Sequence, residues 1–171
     1  MEWPISQRIT DPRASSQQEA GHALAKHVSR GEHLDTKVTE LGLVILATSE
    51  NELEQAAFAL QQIAPGLILG KPQLNYIYGE KPLEPFVVAR VKIPKKSTAG
   101  VLADLLTRRA KLKNEVESNG YATLEVEMPM SELFGYSTTL RSLTQALGSF
   151  EQTYSGYGPS PSVDGTDHVD V

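Results

Sequence analysis

NGYATLEVEM, residues 119–128, is the stretch on which the fold turns. Asn119-Gly120 supplies the two residues that a type I′ hairpin turn needs at positive φ. Behind the turn Ala122, Leu124, Val126 and Met128 alternate with Tyr121, Thr123, Glu125 and Glu127, so the strand has one buried and one wet face. Upstream, Val87, Ala89, Val91 and Ile93 form one face of a partner strand, and Val101, Leu102, Leu105 and Leu106 mark a helix over 97–110. Downstream, a second helix carries Leu133, Leu140, Leu143 and Leu147, and a last strand runs from Ser149 to about Tyr154. Phe134, Leu140, Leu143 and Leu147 are expected to pack against the sheet.

The first half repeats this order with different residues. A strand around residues 5–9 is followed by Ser16 and Glu19 in capping-box spacing, then by Ala20, Ala23, Leu24, His27 and Val28 at helical spacing up to Gly31. Leu34, Thr36 and Val38 alternate, LVILAT (43–48) reads as a buried strand, and Ser49 with Glu52 caps a helix carrying Leu53, Ala56, Ala57, Leu60, Ile63 and Ala64. The strand in GLILGKPQLNYIY (66–78) is expected to bend at Pro72. Strand, helix, hairpin, helix, strand, twice over, predicts an α+β chain of two ferredoxin-like, split-βαβ (βαββαβ) domains, each an antiparallel sheet with helices on one face. The expected division is 1–78 for the first domain, a linker at 79–85 (GEKPLEP), 86–157 for the second and a disordered acidic tail at 158–171.

Composition narrows the function. The 171 residues contain no cysteine, which removes disulfides, thiolate metal sites and a cysteine nucleophile. The N-terminus carries no signal-peptide pattern, and the apolar run at 43–47 is too short to span a bilayer, so a cytoplasmic protein without membrane contact is expected. The net charge of −5 argues against indiscriminate nucleic-acid binding. It is unevenly placed: −4 over 1–84, +2 over 85–158 and −3 in the tail, so a polyanion would meet the second domain.

No catalytic constellation is visible, and no enzyme activity, cofactor, metal or small-molecule substrate is expected. His22, His27, His33 and His168 lack ligand spacing: His22 and His27 are five apart on a helix and cannot share a face. Gly66-x-x-x-Gly70-Lys71-Pro72 is one residue short of a phosphate loop, has Pro for the required Ser/Thr and lies in a strand. Glu50, Glu52 and Glu54 sit in a helix's first turn, where the macrodipole favours acids. Arg108, Arg109, Lys111 and Lys113 close the second domain's first helix. Their spacing favours complementarity to that helix terminus, with a phosphate-contacting patch as the functional alternative.

PMSELFGYSTTLRSLTQALGSFEQTYSGY (129–157) closely resembles the last domain of elongation factor G, the GTPase that drives ribosomal translocation. The match runs through Pro129, Glu132, Phe134-Gly135-Tyr136, Thr138, Leu140-Arg141-Ser142-Leu143-Thr144-Gln145, Gly148-Ser149, Ser155 and Tyr157. Leu83-Glu84-Pro85 looks like that domain's entry and Arg108-Arg109 like its arginine-rich turn. More weakly, the first half is similar to the family's third domain, through Pro4-Ile5, Gln18-Glu19, Ala23-Leu24, Glu50, Leu53-Glu54 and Gly70-Lys71-Pro72-Gln73. Ala47 and Ser49 replace two glycines of its pattern, and Ala146-Leu147 stands where the family usually has Gly-Arg/Lys. The GTPase, second and fourth domains have no counterpart. The fourth would fall between Tyr76 and Leu83, which suggests a separate short gene product rather than a fragment. The resemblance implies a non-catalytic, translation-associated module whose partner is the ribosome (large-subunit rRNA and proteins), touched by Arg108, Arg109, Lys111, Lys113 and Arg141. The alternative is a protein–protein interaction or regulatory module that kept the fold and lost the ribosome.

Overall fold

β1 (Ile5–Thr10) is the central strand of the first unit, flanked by β3 (Gly42–Ala47) on one side and by β4 (Ile68–Leu69) and β5 (Gln73–Leu74) on the other. β2 (Leu34–Thr39) forms the hairpin with β3, and the sheet order is β2-β3-β1-β4. All pairings are antiparallel. The computed structural model describes residues 2–160, and the chain divides between Asn75 and Tyr76.

Ile5, Ile9, Leu43 and Ile45 are fully buried on one face of this sheet, against Leu53 and Leu60 of α2 (Glu50–Ile63) and Leu24 of α1 (Gln17–Ala25). Both helices start on a serine: the Ser16 hydroxyl accepts from the Glu19 N–H and the Ser49 hydroxyl from the Glu52 N–H. α1 is shorter than its periodicity suggested. It ends at Ala25, so His27 and Val28 lie in the loop that follows, and Gly21 is buried where the helix crosses β2 and β3. A Cβ at Gly21 would sit 3.0 Å from Val38 Cγ1. The bend at Pro72 is a break: β4 and β5 both pair with β1 but one residue out of step, with residues 70–72 between them outside both strands. Gln7 holds the gap closed by donating to the Gly70 carbonyl at 2.7 Å.

The second unit has the same plan. β6 (Leu83–Pro94), α3 (Thr98–Thr107), β7 (Lys111–Ser118), β8 (Tyr121–Pro129), α4 (Tyr136–Thr144) and β9 (Ser149–Pro159) give the sheet order β7-β8-β6-β9. Asn119 (φ 53°) and Gly120 (φ 78°) form the positive-φ turn between β7 and β8. Both units are thus ferredoxin-like α+β sheets with their helices on one face.

Three sequence expectations change here. Residues 83–85 belong to β6, because a proline fits the end of a strand where no ladder N–H is needed. The loop before it is closed by the mutual backbone bonds of Ile77 and Leu83 (3.0 and 2.9 Å). Gly158 and Pro159 belong to β9, paired with Glu84 and Leu83, while residues 161–171 of the expected tail lie outside the described residues. Finally, of the four residues expected in the core only Leu140 is buried. Phe134, Leu143 and Leu147 are 38 %, 41 % and 53 % exposed. Gly135, at φ 72°, starts α4 one residue before Tyr136, and the buried stripe runs Tyr136, Leu140, Thr144 at i, i+4, i+8.

Candidate functional site

Arg108 and Arg109 occupy the end of α3, where the N–H groups of Arg108 and Ala110 both bond to the Leu105 carbonyl (3.0 and 3.1 Å) and Arg109 takes the left-handed conformation at φ 59°. Helices usually end this way on glycine. At Arg109 the side chain supplies what glycine could not. Its Nη1 lies 2.6 Å from Glu84 Oε1 and its Nε 3.2 Å from Glu132 Oε1. The Glu84 side chain is only 2 % exposed, so Arg109 is the counter-ion of a buried carboxylate. Bonding to Glu84 stabilises the charged guanidinium and raises its pKa further above the ordinary value, against the opposing effect of burial.

Arg108 is committed in the same way. It pairs with Asp104 one helical turn back (2.9 Å) and donates to the Glu132 carbonyl (2.7 Å) and to Thr139 Oγ1 (3.2 Å). Its guanidinium lies 5.0 Å from the centroid of the Tyr136 ring. Burial pushes the Tyr136 phenol up to about 12, with Asp104 adding to the shift and Arg108 opposing it. The two arginines therefore tie the end of α3 to the start of β6, to the Met130–Leu133 turn and to α4.

The other three expected residues are not clasped in this way. Lys111 opens β7 opposite Glu127, is exposed and forms no ion pair among the described residues. Lys113 lies where the register of β7 shifts and reaches Glu127 only at 3.8 Å. Arg141 is exposed on α4. The structure brings Arg109 and Lys111 to one cleft of about 350 Å³, walled by Phe86, Glu127 and Tyr157, at the end of the sheet face opposite the helices. A β-bulge between Phe86 and Val87 opens it, and Gly158 lets the Phe86 ring lie flat, since a Cβ there would be 2.7 Å from Cε2. Arg108 and Arg141 line no part of it. Sequence reasoning missed the carboxylates. Asp104 was readable as an i, i+4 partner of Arg108, but Glu84 and Glu132 are 25 and 23 positions from Arg109 and carry no local signal.

Among the described residues no group of three or more His, Cys, Asp or Glu side chains is gathered so as to hold a metal ion. His27 and His33 border a second cleft of about 410 Å³, in the first unit, between the loop after α1 and α2; His168 lies outside the described residues. No described helix is long and apolar enough to cross a membrane.

Comparison with solved structures supports the fold. A crystal structure of a Thermus thermophilus protein superposes on 94 % of this chain and 41 % of its own, with a TM-score of 0.59 at 14 % identity. The sequence goes further. The family described as Elongation factor G C-terminus matches residues 81–167, just over half of the chain. "Elongation factor G 2" of Anaeromyxobacter dehalogenans is 31 % identical over 140 residues, which is 79 % of this chain and 19 % of that relative. "Elongation factor G 2" of Streptomyces coelicolor is 39 % identical over 80 residues, 47 % of this chain and 12 % of the relative. The chain belongs to the elongation factor G C-terminal family. It spans less than a fifth of the length of these relatives.

Proposed function

We propose that the chain is a cytoplasmic, ribosome-associated module that touches large-subunit RNA through the second unit and does not itself hydrolyse nucleotide. Family membership across residues 81–167 carries this reading. Lys111, Lys113 and Arg141 are its contact residues, and the cleft between Phe86 and Tyr157 offers an aromatic wall next to the Lys111 ammonium, which suits an RNA nucleotide. Arg108 and Arg109 serve this surface as its frame, because their guanidinium groups are held within the protein.

Co-sedimentation with ribosomes across a salt series tests this. The parent is expected to pellet at low salt. A Lys111→Gln, Lys113→Gln, Arg141→Gln variant should bind more weakly, with a salt dependence flatter by up to about one log unit for each phosphate no longer neutralised. Lys26→Gln with Lys71→Gln, in the first unit, should leave the slope nearly unchanged. A parent that never pellets, even at low salt, sinks the ribosomal reading. A protein–protein interaction module would then stand in its place. One observation favours that second reading: the cations at 108, 109 and 113 already face carboxylates, which leaves little free positive charge.

A further inference from the structure

Among the described residues β2 pairs with β3 alone, which makes it an edge strand. In an antiparallel ladder alternate residues turn their backbone groups toward the neighbour or away from it. The Thr48 N–H bonds to the His33 carbonyl at 3.1 Å, and the same register pairs Asp35 with Leu46 and Lys37 with Val44. The groups of Leu34, Thr36 and Val38 therefore point out of the sheet. The bond from the Gly31 N–H to the Leu34 carbonyl (2.8 Å) confirms the parity, since that carbonyl is not used by β3.

Outward from Thr36, the strand is complementary to itself. If a second copy lay antiparallel beside it about a two-fold axis at Thr36, Leu34 would face Val38 and Asp35 would face Lys37. Every facing pair would share a side of the sheet: Leu34, Thr36 and Val38 lie on the helix side with Ala47, Ile45 and Leu43, and Asp35 and Lys37 on the open side with Leu46 and Val44. The outward backbone groups would face one another as well, so charge, apolar contact and hydrogen-bond parity agree on one register. β7, the corresponding edge of the second unit, does not have this property. The register shift between Leu112 and Asn114 puts Lys111, opposite Glu127, on the open side and Glu115, opposite Leu124, on the helix side, so a two-fold register that set these opposite charges face to face would leave them on different sides of the sheet.

The β2 edge is covered. Arg30 Nε bonds to Thr36 Oγ1 (3.0 Å) and lies 3.6 Å from Asp35 Oδ1. Those residues are on opposite sides of the sheet, so the guanidinium lies across the strand's free edge. Asp35 Oδ1 also accepts the outward Thr36 N–H at 2.7 Å. The covering loop is lightly held: the 410 Å³ cleft separates it from α2, and apart from its chain neighbours none of the described residues comes within 4 Å of where a Gly31 Cβ would stand.

We propose that β2 is a latched self-pairing strand, closed by Arg30 and the loop through Gly31, and that its partner is a second copy of this chain. Opening the latch exchanges the Arg30–Asp35 contact for an Asp35–Lys37 contact between copies and joins two first-unit sheets into one. This requires nothing of the ribosomal reading. Sedimentation equilibrium of the full chain tests it with three variants at exposed or half-buried positions. Arg30→Ser is expected to dimerise at a concentration at least tenfold below the parent. Adding Lys37→Asp should abolish that dimer, and so should adding Asp35→Lys. Mixing the two double variants should restore a heterodimer, because each then meets its charge complement. In the Arg30→Ser dimer the amide of Val38 should exchange more slowly than in the monomer. The proposal is overturned if Arg30→Ser associates no more than the parent, if the charge changes leave its association unaltered, or if the mixture stays monomeric.

Discussion

The two units share a strand order and differ in how their helices are anchored. In the first, α1 and α2 both begin on a serine whose hydroxyl accepts an N–H of the first turn. In the second, no described side chain caps the N-terminus of α3 or α4, and long-range bonds from Arg108 and Arg109 hold the helix layer to β6 and the Met130–Leu133 turn. Local caps and distant clasps are alternative ways of fixing a helix on the same sheet. They differ in what a single substitution removes. A lost cap leaves one N–H for water to satisfy, whereas a lost clasp strands a buried charge.

The largest expected effect follows from that difference. Arg109→Ala leaves Glu84, 2 % exposed, without its counter-ion and should cost about 3–5 kcal/mol in urea denaturation. Ser49→Ala, which removes only a cap, should cost about 1 kcal/mol. Equal losses for the two variants would show that the clasp is no stronger than a cap and would break the comparison.

A second contrast lies within α4. Leu140 is 1 % exposed and Leu143 41 % exposed, so Leu140→Ala should cost about 2–5 kcal/mol and Leu143→Ala less than about 1 kcal/mol. A larger loss at Leu143 would return the helix face to the one its leucine spacing suggests. It would also mean that Tyr136, fully buried in a T-shaped contact with Phe150 at 5.1 Å, is not the residue that orients the helix.

What was legible in the sequence follows the range of each interaction. The Asn119-Gly120 turn, the alternation of β8 and the Ser16 and Ser49 caps depend on residues within a few positions of one another, and each was readable. The buried face of α4 was not. Its leucines suggest one stripe, whereas the helix that starts after Gly135 in the left-handed conformation buries Tyr136, Leu140 and Thr144. For the candidate site the cationic residues were visible, but the carboxylates that occupy Arg109 come from β6 and the Met130–Leu133 turn. A run of like charges in a sequence does not show whether the fold has already paired it.

The smallest expected effect lies at the helix ends, where the two units differ again. α2 is followed by Gly66 at φ 96°, and with nothing near its missing Cβ the glycine is there for its backbone alone. α4 ends on two successive residues with side chains in the left-handed region, Gln145 at φ 52° and Ala146 at φ 64°. The N–H groups of both bond to the Arg141 carbonyl, so the strain is held in place by the terminal turn. A left-handed conformation costs an L-residue roughly 1–2 kcal/mol, and glycine escapes most of that at the expense of greater freedom when unfolded. Ala146→Gly should therefore stabilise the chain by about 0.5–1 kcal/mol, a rare case of a glycine strengthening a fold. Gly66→Ala should move the same measurement the other way by at least as much, since φ 96° lies further from any minimum open to alanine. If Ala146→Gly proves neutral or destabilising, the alanine side chain contributes more to this turn than its backbone strain removes, and the end of α4 is held by packing where the end of α2 is followed by glycine.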